Sequence, residues 1–342
     1  MRDSCKGRTA VGGGRRATVT FIILTVGLTN EGVTLERASE RSLGGTALLS
    51  FSLTGIVLFL SLLAFIGVDR AYGASAEPIC STPAVIFCDD FENEILPGVW
   101  QDGYDPARHT ITSDLTNVYK GGKALQATYP AGSDGGWLAR WFMPGYDHTY
   151  ARLYVKVETG WQCGTNCTKV FAFYGNRIDN QWSGSGQAGT RPNGTDWFYT
   201  ALVTLNWSRQ PDPGELIFYS YFPEMTQAPD GMYWGNFFFQ TDPREAVQPG
   251  RWYCLELELQ ANTPGAHDGF QRMWIDGAFK GEVLNMRWRD TTDVRINALQ
   301  LTFSGAVAVT KRMWIDNVVV STQKIGCMAN TPPTEPTGLV VR

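Results

Sequence analysis

Residues 251–260, RWYCLELELQ, alternate without a break, with Tyr253, Leu255, Leu257 and Leu259 on one side and Trp252, Cys254, Glu256, Glu258 and Gln260 on the other. A period of two marks a β-strand with one buried and one polar face, and it excludes a helix, whose apolar positions recur about every 3.6 residues. The turn-rich stretch NTPGAHDG at 262–269 then reverses the chain into RMWIDG at 272–277, where Gly277 supplies the positive φ of a second turn. An antiparallel pair running into a further hairpin is the expectation. RMWID returns at 312–316, followed by Asn317 and a valine run at 318–320. Two copies are too few for a repeat array, so they read as two sheet strands with similar surroundings.

The same pattern continues through most of the chain. Strands are expected at 84–89, 121–129, 150–157, 168–174, 197–207, 215–222, 295–304 and 312–320, with 135–142 as a further candidate. Residues 197–207 and 215–222 read as a pair joined over the turn at 210–214. Residues 100–116 read as loop, 176–196 as a long polar, glycine-rich loop, and 232–239 are unusually aromatic. No amphipathic helix follows residue 77. Short strands at this density predict an all-β domain over 77–328, two packed antiparallel sheets, with a Pro/Thr-rich linker tail at 329–342.

Ahead of that domain, residues 47–68 carry no charge and are long enough as a helix to cross a bilayer core. Arg37 and Arg41 precede this stretch and Ala74, Ser75 and Ala76 follow it, the layout of a secretory signal cut after Ala76 or of an uncleaved anchor. Residues 1–76 are therefore read as leader. The protein is expected to be secreted or held at the cell envelope, touching membrane only through an uncleaved N-terminal segment. Cysteine usage agrees. Without Cys5 an even set remains: Cys80, Cys88, Cys163, Cys167, Cys254 and Cys327. Cys163 with Cys167 reads as a local staple, Cys80 with Cys327 as a tie between the domain's ends, and Cys88 with Cys254 as a link across neighbouring strands. The net charge of −4 and the lack of a basic stripe argue against nucleic acid as a partner.

Several motifs together resemble the polysaccharide lyase family 14-like group: FCDDFE at 87–92, GGKAL at 121–125, WYCLE at 252–256, NTPG at 262–265, DG at 268–269, WIDG at 274–277 and IDN at 315–317. The resemblance spans roughly 85–327 and implies a concanavalin A-like jelly-roll β-sandwich. It further implies a catalytic lysine at Lys169 on an inner strand, facing a Tyr-x-Tyr pair at Tyr219 and Tyr221 on an adjacent one. In β-elimination from a uronate, Lys169 would neutralise the carboxylate, and a tyrosine with its pKa lowered by that ammonium would move the protons. The group's Ser-x-Arg falls on Leu202 and Thr204, so carboxylate binding passes to Arg140, Arg177 or Arg191. Similar jelly rolls hold a structural Ca2+, which points to Glu92 and Asp316, near Asp90, with carbonyls of the glycine turn; capped turns are the alternative.

The polysaccharide partner has support of its own in the aromatics Trp137, Trp141, Trp182, Tyr233 and Trp234, which suit sugar stacking and a sandwich core equally. Glu256 and Glu258 share a strand face as glycosidase acids do, but the third position is Gln260, which cannot act as a carboxylic acid. His109, His148 and His267 show no metal spacing. No GxSxG, Walker or dinucleotide fingerprint occurs, so no organic cofactor is expected. Two functions follow: a lyase cleaving a uronate-containing polysaccharide, or a non-catalytic carbohydrate-binding or surface jelly-roll protein.

Overall fold

The computed structural model describes residues 25–29, 32–36, 77–93, 98–163, 168–206 and 212–329. The chain divides into two units, residues 1–70 and 71–342. In the first, β1 (Thr25–Thr29) pairs antiparallel with β2 (Gly32–Glu36). The expected leader helix at 47–68, the partner cysteine Cys167 and the tail from 330 onward lie outside the described residues. No described helix is long and apolar enough to cross a membrane.

The second unit is built from strands, with single 3-10 turns at Pro78–Ser81 and Leu115–Asn117. In chain order these are β3 (Val85–Asp89), β4 (His109–Thr112), β5 (Ala124–Tyr129), β6 (Gly136–Tyr146) and β7 (His148–Val157). Next come β8 (Lys169–Arg177), β9 (Trp197–Leu205), β10 (Glu215–Tyr221), β11 (Asn236–Phe238) and β12 (Trp252–Gln260). The last four are β13 (Gly269–Ile275), β14 (Ala278–Met286), β15 (Val294–Phe303) and β16 (Lys311–Ser321). A six-stranded antiparallel sheet runs β11-β10-β9-β8-β15-β6. The larger sheet runs β14-β13-β12-β7-β16-β5-β4, with β3 also paired to β16. This is the expected all-β jelly-roll sandwich. Both RMWID copies are strands of the larger sheet, in β13 and β16.

Alternation decides what lies between the sheets. Leu153, Val155, Leu255, Leu257, Leu259, Met313 and Ile315 on the larger sheet are buried in one cluster with Phe171, Phe173, Phe198, Leu202, Phe218, Leu299 and Leu301 on the smaller. Each such side chain contributes about 1.5–3 kcal/mol of transfer free energy. The segment read as loop at 100–116 contains β4, which pairs with β5 and is too short to show alternation.

The polar face of β12 is not solvated as its sequence implies: Glu256 is 1% exposed and Glu258 4%. The C-terminal end of the domain folds over it, and β7 side chains cover the rest. Ile325 and Gly326 donate backbone N–H bonds to Glu256 at 2.7 and 3.1 Å, and Met328 N donates to Tyr154 Oη. Glu258 accepts from Tyr150 Oη at 2.6 Å and pairs with His148 at 2.7 Å. Both carboxylates are thus occupied, Glu256 by the C-terminal segment and Glu258 by β7, on the larger sheet and away from the cleft, which removes the glycosidase reading.

The disulfides differ from expectation for the same topological reason. Cys80 bonds Cys88 and Cys254 bonds Cys327. β3 neighbours β16 while β12 lies beyond β7, so Cys88 and Cys254 are not on adjacent strands. The C-terminal segment crosses β12, and that brings Cys327 to Cys254. Because Cys254–Cys327 closes a loop of 73 residues, replacing both with serine should lower stability by about 2–4 kcal/mol. A shift of the denaturation midpoint checks this; an unchanged midpoint would contradict it.

Candidate active site

Pairing register sets out the outward face of the smaller sheet in rows. Trp141, Ala298, Tyr174, Tyr199 and Tyr221 are successive cross-strand partners from β6 to β10. Alongside run Ala139, Gln300, Ala172, Ala201, Tyr219 and, on the edge strand, Phe237. One row is therefore mostly aromatic, and the next has small alanines at its centre and aromatics at its β10–β11 end.

Plain alternation would send Lys169 inward with Phe171 and Phe173. A β-bulge between Lys169 and Phe171 inserts Val170, so that Lys169 pairs with Val203 on the tyrosine side. Its Nζ lies 4.8 Å from the Tyr219 ring centroid and 5.3 Å from that of Tyr199. Tyr219 and Tyr221 join hydroxyl to hydroxyl at 2.9 Å. Ser220 between them points the other way, within 2.9 Å of the Thr200 hydroxyl and donating to Gln271 of β13 at 3.0 Å. That buried trio ties β10 to the opposite sheet and fixes where the two phenols sit. Lysine and tyrosines were expected on adjacent strands; β9 lies between them, and the small Ala201 leaves the gap that Lys169 spans.

The three side chains open into one cleft of about 1380 Å³, walled also by Trp234 and Phe237. Burial against the rings pushes the Lys169 amine down to about 8. Burial, followed by the hydrogen bond to Tyr219, pushes the Tyr221 phenol above its ordinary value. The sequence reading had the ammonium lowering a tyrosine's pKa; for Tyr221 burial wins and the shift is upward. Tyr199 and Tyr174 are raised by burial too, Tyr174 to about 12.

The other expected contacts separate. Arg140 sits opposite Leu299 in the register, on the core side of β6; its Nη1 donates to the carbonyls of Gly98 and Val99, and its guanidinium lies 5.2 Å from the Phe87 centroid. Arg177 makes a paired contact with Asp179, both bonds 2.8 Å. Neither arginine lines the cleft. Arg191 stacks over Tyr233 at 5.1 Å. Leu202 is in the core, and Thr204 donates to the Thr168 carbonyl. Trp182 is exposed and meets Trp141 edge-on at 4.8 Å, at the far end of the aromatic row. Sequence reasoning did not single out Tyr199, Tyr174 or Phe237; the 199/201/203 alternation opposite Tyr221 was the available signal.

Glu92 and Asp316 do converge on the segment 119–123. Tyr119 and Lys120 donate N–H bonds to Asp316 at 2.9 and 3.1 Å, and Gly122 and Lys123 to Glu92 at 2.7 and 3.1 Å. The turn offers N–H groups where carbonyls were expected. Burial, with a contribution from the Glu92 charge, pushes Asp316 up to about 8. The histidines lie away from the cleft: His109 is buried against the Gly135 carbonyl, and His267 pairs with Glu224.

A two-sheet antiparallel jelly roll with an aromatic-walled cleft on its smaller sheet is the class these observations define. Among solved structures, an alginate lyase Aly36B variant in complex with alginate trisaccharide superposes with a TM-score of 0.53 at 15% identity, over 71% of this chain and 100% of that one. The marine PL-14 alginate lyase from Aplysia kurodai gives 0.53 at 15% identity, over 70% of this chain and 99% of its own. No family model and no curated protein sequence matches the chain. The protein thus has the fold of the family 14 alginate lyases.

Proposed function

We propose that the protein is an exported polysaccharide lyase that cleaves a uronate-containing polymer by β-elimination. The observation that carries this is geometric: Lys169 and the Tyr219–Tyr221 pair, joined hydroxyl to hydroxyl at 2.9 Å, line one cleft, where burial disfavours the amine's charge and keeps the Tyr221 phenol protonated. Lys169 in its neutral form takes the C5 proton. The C5–H electrons form the C4=C5 double bond, the C4–O bond breaks, and the Tyr219–Tyr221 pair delivers a proton to the leaving oxygen. The new ammonium then stands beside the charge developing on the carboxylate. Trp182, with Trp141, offers a stacking surface for a distant sugar. Alginate, glucuronan and mixed uronate polymers, followed by the ultraviolet absorbance of the unsaturated product, test the reading. Product from none of them, with binding retained, would leave the non-catalytic carbohydrate-binding function.

Tyr221→Phe keeps the ring and removes the proton. Its kcat should fall about 10²–10⁴-fold with KM little changed; a change confined to KM would contradict an acid role.

A structural Ca2+ belongs to the same proposal. Glu92 and Asp316 would hold it, supplying the positive charge that the buried Asp316 lacks. Among the described residues no three Asp, Glu, His or Cys side chains cluster as metal ligands, and the 119–123 turn gives both carboxylates N–H donors, so the ion would have to compete with those hydrogen bonds and complete its shell with water. Ca2+ should raise the Tm of the EGTA-treated protein by about 5 °C; indifference to both would contradict it.

A further inference from the structure

The charges around the cleft bear on which uronate polymer fits. Among the described residues that line it, Lys169 is the only cation, while Asp134 and Asp212 line the same space. The aromatic platforms carry acids as well. Trp234, exposed on the cleft wall, donates its indole N–H to Asp230 at 2.8 Å. Trp141, at the other end of the sheet, donates its own to Asp102. The indole bond is the first cause holding Asp230 below the ordinary carboxylate range, so it stays ionised at neutral pH.

A sugar stacked on either indole therefore lies beside a fixed negative charge. From β6 to β10 is four strand spacings, roughly 19 Å, so a bound chain spans several sugars while meeting, among the described residues of the cleft, one amine. A homopolymer of uronates would bring a carboxylate with every sugar into a cleft where like charges are destabilising. Neutral sugars lose nothing there and keep their stacking faces. Resting on the lyase reading, we infer that the substrate is a heteropolymer in which single 4-linked uronates are separated by neutral sugars. The uronate sits at Lys169 and neutral sugars lie over Trp234 and the Trp141–Trp182 pair. The fold is shared with lyases named for alginate, but the charge of this cleft is that of a different substrate class.

The test uses the purified protein with two groups of polymers. Alginate and glucuronan represent the polyuronates; gellan and unsulfated chondroitin carry one 4-linked uronate per repeat between neutral sugars. At low ionic strength the mixed polymers should bind at least about tenfold more tightly, and the gap should narrow as salt screens the acids. Asp134→Asn with Asp212→Asn should raise polyuronate affinity about threefold and mixed-polymer affinity by clearly less, since one carboxylate per repeat feels the acids. Equal or tighter binding of polyuronates, or binding of neither group, would overturn the inference. Binding and turnover are read separately. Absence of unsaturated product from every polymer defeats the lyase reading, while the affinity ratio still decides the question of substrate charge.

Discussion

Lys169→Met should leave only residual elimination and a more stable protein. Loss of the base should lower kcat about 10²–10⁴-fold. Methionine keeps the length of the side chain and packs against the Tyr199 and Tyr219 rings without a charge to desolvate. The amine falls from its ordinary 10.5 to about 8 on folding, a cost of roughly 3 kcal/mol at most at neutral pH. The sign follows from proton counting. Between about 8 and 10.5 the unfolded chain binds more protons at this site than the folded one, so stability rises with pH across that window. Lys169→Met should remove that rise and gain on the order of 1–3 kcal/mol below it. Chemical denaturation of both proteins at several pH values reads the difference directly. A variant that is inactive and also less stable would mean that Lys169 is a packing residue.

Glu77→Ala should be the most damaging single change to stability away from the cleft. Arg152 on β7 is 1% exposed, and its Nη2 meets the Glu77 carboxylate at 2.5 Å. Its Nη1 donates to the Asn317 carbonyl at 3.0 Å. Removing Glu77 leaves a buried guanidinium without its anion, which costs about 3–5 kcal/mol. Replacing the pair together, Glu77→Leu with Arg152→Met, should recover much of that loss, because two apolar groups need no mutual compensation. A double-mutant cycle on denaturation midpoints measures this. Additive losses would show that the two charges do not depend on each other.

The strands were legible because burial on one face writes a period of two into the sequence, most plainly at 251–260. The jelly-roll order was legible only through the resemblance, since alternation does not say which strands are neighbours. That gap accounts for the disulfide misassignment: Cys254 meets Cys327 because the chain's end is laid across β12, a contact that no local pattern records. It also accounts for Glu256, which the sequence offers to solvent and the fold offers to Ile325 and Gly326. In the cleft, Tyr219 and Tyr221 were readable as a same-face pair. The placement of Lys169 was not, because its parity with Phe171 and Phe173 points inward and only the bulge at Val170 turns it out. Arg140 shows the converse: charge suggested a ligand contact, and strand parity turned it to the core side of β6, against Phe87.

The pH dependence of kcat/KM on a uronate polymer that the wild-type protein cleaves tests the central claim most directly. An amine acting as base with its pKa brought down to about 8 by burial predicts a rate that climbs with pH and levels off above about 8, the ascending limb disappearing in the residual activity of Lys169→Met. A rate that is flat across this range, or a limb that persists unchanged in the variant, would contradict Lys169 as the base.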